Sequence, residues 1–265
     1  MKNSYIKRMT AIFMALILCA GMLAACGSTE SSADAENTEV AENPVDENEA
    51  GEDVDVDEYI ASVLTDGAEE GEEVTPITDE VIDEDEISRS NSRLIEYSKI
   101  SPNKSAPRNH AIDTITIHCM AGQLSVESCG NVFYKVSAQA SANYGVGKDG
   151  RIALYVEEKD RSWCSSNAAN DNRAVTITVA SDSTPPYKVS DAAYNATIKL
   201  VADICKRNGI KKLVWSTDKN ERIQHANGAN MTVHSDFANK ACPGDYLYQR
   251  MGDIADQVNK LLGAE

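Results

Sequence analysis

Ile112-Asp113-Thr114-Ile115-Thr116-Ile117-His118 decides how this chain of 265 residues folds. Thr114 to Ile117 are all β-branched, which suits a pleated strand, and a histidine closes the run. Downstream, Asn143 to Val156 reads as a hairpin. Lys148-Asp149-Gly150 makes its turn, since Asp-Gly tolerates the positive φ required there. Ala174 to Val179 reads as a third strand and Lys212 to Trp215 as a short one. Ser190 caps a helix expected to run to Arg207. Ala193, Ile198, Val201, Ile204 and Cys205 fall roughly at helical spacing along it, and Asn208-Gly209 is its stop. A last helix is expected from near Pro243 to Asp245 through to Leu262, with Gly263 behind it. Short strands alternating with amphipathic helices predict an α/β domain at 88–265: a single mixed β-sheet flanked by α-helices.

Upstream of that domain the texture is different. Lys2, Lys7 and Arg8 precede an apolar stretch from Met9 to Met22, which ends in Leu23-Ala24-Ala25-Cys26. The stretch has the length of a signal-peptide core and is short for a membrane span, which needs about 20 apolar residues. Leu-Ala-Ala-Cys resembles the bacterial lipobox, so residues 1–26 are expected to be a lipoprotein signal peptide and Cys26 the lipidated residue. Residues 27–87 read as a disordered acidic linker. About 24 Asp and Glu lie between Glu30 and Glu86 with no Lys or Arg among them, and such a segment buries too little apolar surface to offset its ordering entropy. The formal charge of -17 therefore belongs to the linker, and the remainder is mildly basic. The expected location is the outer face of a bacterial cytoplasmic membrane, held there by the lipid.

The chain has four histidines, and His118 and His234 both follow β-like runs. Cys242 comes eight residues after His234 in Ala241-Cys242-Pro243-Gly244. Two imidazoles and a thiolate are zinc donors, and three protein ligands leave a fourth position for water. Of the five cysteines after Cys26, Cys119, Cys129, Cys164 and Cys205 remain, an even number in an oxidising compartment, with three possible pairings or plain burial for Cys205.

Several ordered strings carry a resemblance. They are Thr116-Ile117-His118-Cys119, Asn143-Tyr144-Gly145-Val146-Gly147-Lys148-Asp149-Gly150, Arg161-Ser162-Trp163-Cys164, Asn170-Asp171-Asn172-Arg173-Ala174-Val175-Thr176-Ile177, Thr232-Val233-His234 and Lys240-Ala241-Cys242-Pro243-Gly244. With them the domain resembles the zinc-dependent N-acetylmuramoyl-L-alanine amidases, a family that includes phage endolysin amidases and peptidoglycan recognition proteins. The resemblance implies that His118, His234 and Cys242 hold Zn2+ and that Lys240 is the catalytic cation beside the reacting amide. It implies zinc-activated water cutting the bond between N-acetylmuramic acid and the L-alanine of the stem peptide. Tyr144, Trp163 and Asn172 are the candidate substrate contacts. The expected partners are peptidoglycan and, through Cys26, the membrane, with no nucleic acid and a monomeric chain.

The sequence departs from the family pattern at two places. Many members carry a Glu general base where this chain has Thr178, and others a Tyr where it has Ala142. Asp236, two residues beyond His234, is a candidate substitute. The alternative function is a peptidoglycan-binding module of the same fold with weak catalysis or none. A third reading, with Cys242 as a protease nucleophile and His234 as its base, lacks a helix start and an orienting group.

Overall fold

The computed structural model describes residues 90–264, so the expected signal peptide, Cys26 and the acidic linker lie outside the described residues. The order of strands and helices is β1 (Tyr97–Ser98), β2 (Lys104–Ser105), β3 (Thr114–Cys119), α1 (Val126–Tyr134), β4 (Tyr144–Val146), β5 (Ile152–Leu154) and β6 (Arg161–Ser162). Then follow α2 (Ala168–Arg173), β7 (Ala174–Val179), α3 (Asp191–Arg207), α4 (Lys219–Gln224), β8 (Met231–Val233), α5 (Gly244–Tyr248) and α6 (Met251–Leu262). Six strands form one sheet in the order β1-β5-β4-β7-β3-β8, while β2 and β6 pair separately. Within the sheet only β4 and β5 run antiparallel, as the Gly150 turn at φ 86 requires. This is the expected mixed sheet flanked by helices.

The central strands β3 and β7 are buried along their whole length, and their two faces differ in character. Ile115, Ile117, Val175, Ile177 and Val233 pack toward the apolar sides of α3 and α6, where Val201, Ile204, Ile254 and Val258 complete the main core. Thr114, Thr116, His118, Thr176, Thr178 and Thr232 occupy the alternate positions. They put buried hydroxyl groups on the opposite face. Threonine satisfies the steric preference of a strand and at the same time supplies hydrogen-bonding groups. Beyond this polar strip, α1 covers a second apolar cluster in which Phe133 and Tyr155 meet edge to face.

Tyr155 explains why residue 145 is glycine. Its hydroxyl donates to the Val126 carbonyl at 2.7 Å, which fixes the ring over β4. A Cβ on Gly145 would lie 2.7 Å from that hydroxyl and collide with the ring itself. Gly145→Ala is expected to cost about 1–3 kcal/mol by overpacking, lowering the thermal midpoint by several degrees. Thermal unfolding followed by circular dichroism checks it, and a midpoint within a degree of the wild type would refute it.

The helix capped by Ser190 spans the expected residues, with the Ser190 side chain accepting from the Ala193 N–H at 3.1 Å. Two expectations are corrected. Lys212 to Trp215 is not a strand, because side-chain amides hold it in place of a ladder: Asn259 and Asn230 accept from the Leu213 and Val214 N–H groups at 2.8 and 2.7 Å. The last helix is two helices. The chain breaks at Gln249 and Arg250, where Arg250 lies over the Tyr246 ring and donates to the Tyr246 carbonyl at 3.0 Å. Among the described residues no disulfide forms, and all five cysteines are buried thiols. None of the described helices is long and apolar enough to cross a membrane.

Candidate metal centre

Strand pairing brings the two histidines together. β3 and β8 are parallel neighbours with Ile117 opposite Val233, so the next residue of each chain segment, His118 and His234, emerges at the same end of the sheet. Their ring centroids are 5.0 Å apart. Cys242 closes the group from the loop before α5, and the three donor atoms lie within 4.8 Å of one another, all buried. Cys242 Sγ is 3.4 Å from His118 Nδ1. Two donors of these types on one tetrahedral zinc, at bond lengths near 2.0 and 2.3 Å, would be about 3.5 Å apart. The Cys119 N–H points at the sulfur from 3.3 Å, a contact that favours the thiolate.

The protonation state also suits a metal. Burial, and then the neighbouring His234, hold His118 well below the usual imidazole range, so it stays neutral, the form that donates a lone pair. Its Nε2 is buried without a hydrogen-bond partner among the described residues. A buried polar atom in that condition costs stability, and conditions of this kind collect at functional sites. Donor set, spacing and neutral imidazole all fit zinc.

Two networks support the candidate ligands. Asn170 of α2 donates to Thr116 Oγ1 at 3.1 Å and accepts from Thr232 Oγ1 at 2.9 Å, tying α2 to both ligand-bearing strands. Asp171 accepts from the Cys164 N–H at 2.9 Å and the Ser165 hydroxyl at 2.6 Å, and its burial still raises its pKa. On the other side, Asp236 forms a two-pronged ion pair with Arg222, both buried, and accepts from the Val233 N–H at 3.0 Å. Arg222 also donates to the Ser216 carbonyl at 2.8 Å and stacks over Trp215. The turn His234–Asp236 is thereby clamped from below, and Ser235 N–H to Cys242 O at 3.1 Å links it to the third donor.

The other predicted residues fall as follows. Asp236 is corrected: its carboxylate is committed to Arg222 and a backbone N–H, so it is a positioning group and no general base. Tyr144 is corrected as well. Its ring packs in the main core, its hydroxyl donates to Glu158 at 2.6 Å and accepts from the Ser92 N–H, and no surface is left for a substrate. Asn172 spends its side chain on the Ala168 carbonyl and the Asn109 N–H, each at 3.0 Å. Trp163 is partly buried, with its indole N–H on Ser105 Oγ at 2.9 Å. Lys240 is half-buried on the loop that leads to Cys242. Thr178 lies beside His118 in the β3–β7 register, and Ala142 is buried in the second apolar cluster. Arg222, Ser165 and Ser166 were not foreseen. An arginine inside the polar helix Lys-Asn-Glu-Arg-Ile-Gln looks like any solvated residue, whereas the threonine alternation on three strands is a signal from which a polar inner face could have been read.

The family model described as N-acetylmuramoyl-L-alanine amidase matches residues 108–245. Among solved structures, the chain is similar to the Staphylococcus aureus hydrolase AmiA in complex with its ligand, at 17% identity and TM-score 0.49, covering 71% of this chain and 93% of that one. It is similar to AmpD at 16% identity and TM-score 0.48, covering 63% and 97%. The amidase LysC from Clostridium intestinale URNW aligns at 13% identity and TM-score 0.42, covering 62% and 97%. No curated protein matches the chain.

Proposed function

The chain belongs to the N-acetylmuramoyl-L-alanine amidase family, and from that premise we propose that it is a membrane-tethered, zinc-dependent hydrolase of the amide between N-acetylmuramic acid and L-alanine in peptidoglycan. The observation that carries the metal-dependent reading is the convergence of His118, His234 and Cys242 on one buried point. When bound there, zinc supplies a Lewis acid and lowers the pKa of a coordinated water to about 7. The chain's own part is to keep the His118 imidazole neutral, hold the Cys242 sulfur against the Cys119 N–H, and fix all three donors through the threonine network and the Arg222–Asp236 pair. Lys240, two residues before Cys242, places a cation near the scissile carbonyl, where it favours the negative charge that develops on oxygen in the transition state. The tether reading rests on the lipobox ending at Cys26 and the acidic linker behind it.

Thr178 and Ala142 favour a second reading, a peptidoglycan-binding module with little turnover. A hydroxyl and a methyl cannot accept a proton at neutral pH, and lost general-base assistance slows such reactions by about 10²- to 10⁴-fold. The deciding experiment measures the zinc content of the purified protein and the release of stem peptide from muropeptides. We expect about one zinc per chain and slow, chelator-sensitive release. Zinc binding with the amide intact after many hours would establish the binding module, and absence of zinc would remove the metal-dependent mechanism.

A further inference from the structure

Ser166 lies in the loop between β6 and α2, and its Oγ is 3.3 Å from His234 Nε2. We infer that Ser166 is a positioning residue for the metal centre: its hydroxyl accepts the Nε2 proton of His234 and so holds that ring in the tautomer whose Nδ1 is the donor. The inference rests on the zinc reading above.

Three features make this contact a built one. Ser166 is a non-glycine residue in the left-handed region, at φ 56, a conformation that persists only where its surroundings impose it. Those surroundings are in place on both sides. Cys164 and Ser165 are fastened to the buried Asp171 carboxylate, and Asn167 caps α2 by accepting from the Asn170 N–H at 2.9 Å. Asn170 then fixes the loop to Thr116 and Thr232, two residues before each ligand histidine on its own strand. The serine hydroxyl is therefore indexed to β3, which carries His118, and to β8, which leads directly into His234. Finally, Ser166 is exposed while His234 is buried, so the hydroxyl meets the ring from the solvent side of the centre. Metal-bound histidines generally donate their second N–H to an oxygen, which orients the ring and raises the basicity of the ligating nitrogen.

The test uses the full-length protein and two independent readouts. In the metal-free protein, long-range ¹H–¹⁵N NMR should find His234 protonated on Nε2, and protonation on Nδ1 would overturn the inference. Zinc affinity, measured by competition with a chromophoric chelator, should weaken by about 10-fold or more in Ser166→Ala and in Ser166→Gly, in line with outer-shell losses elsewhere. Ser166→Gly keeps the left-handed backbone without strain, so a loss shared by both variants belongs to the hydroxyl. If the wild type binds zinc and both Ser166→Ala and Ser166→Gly bind it equally well, the inference fails and the zinc reading stands. If the wild type binds no zinc, both fail.

Discussion

His118→Ala is expected to leave a folded protein that retains no stoichiometric zinc and releases no detectable stem peptide. The loss of activity should be the largest of any single substitution, because two remaining donors no longer define a site. The fold should survive. His118 Nε2 is a buried atom without a hydrogen bond among the described residues, so truncation removes an unsatisfied polar group along with its packing. The cavity term then remains, at roughly 2–3 kcal/mol or less for a side chain at the end of a strand. Metal analysis of the purified variant, circular dichroism and the muropeptide assay check the three parts separately. Full zinc occupancy in His118→Ala would refute the ligand assignment outright.

Asp236→Ala is expected to have the largest effect on stability, with a loss of about 3–5 kcal/mol. It leaves the Arg222 guanidinium buried beneath the sheet end with its main counter-charge gone, and breaking one side of a buried pair costs far more than the pair contributes. The Val233 N–H loses its acceptor in the same step. The double variant Arg222→Met with Asp236→Ala should recover a good part of the stability, since the stranded charge is gone, yet it should not recover tight zinc binding. The turn that starts at His234 would remain unclamped. Chemical denaturation of both variants measures the first effect and chelator competition the second. A double variant less stable than Asp236→Ala would contradict this account of the pair.

Much of the architecture was legible in the sequence for plain steric reasons. β3 and β7 are continuous runs of β-branched residues, and the Ser190 helix has a cap, an apolar stripe and a stop. The candidate metal donors were legible because histidine is scarce in this chain, two of its four histidines close β-like runs, and a cysteine follows the second at short distance. What was hidden shares one cause: the partner of a polar side chain is set by tertiary packing. Tyr144 sits in a glycine-rich string that suggests a cleft, but the strand register turns its ring into the core and its hydroxyl onto Glu158. Asp236 and Arg222 lie fourteen positions apart, and only folding shows that they bury each other. The break after α5 was missed because Arg250 has ordinary helix propensity and leaves the helix for the Tyr246 ring and carbonyl.

The parallel pairing of β3 with β8 bears on how the protein becomes active. Thr116 and Thr232 meet across 116 positions of chain, and Cys242 reaches His118 across 124. A segment ending before Met231 therefore contains one donor and no centre, however well its own strands are formed. Closing so long a loop is entropically unfavourable, and the contacts that offset it arrive only with the segment from Met231 onward. If the centre holds zinc as proposed, the ion binds the finished fold and stabilises it by mass action, while partly synthesised or partly threaded chains gain nothing from it. On that reading metal capture is an end-of-assembly event, a chemical mark that the whole domain has closed.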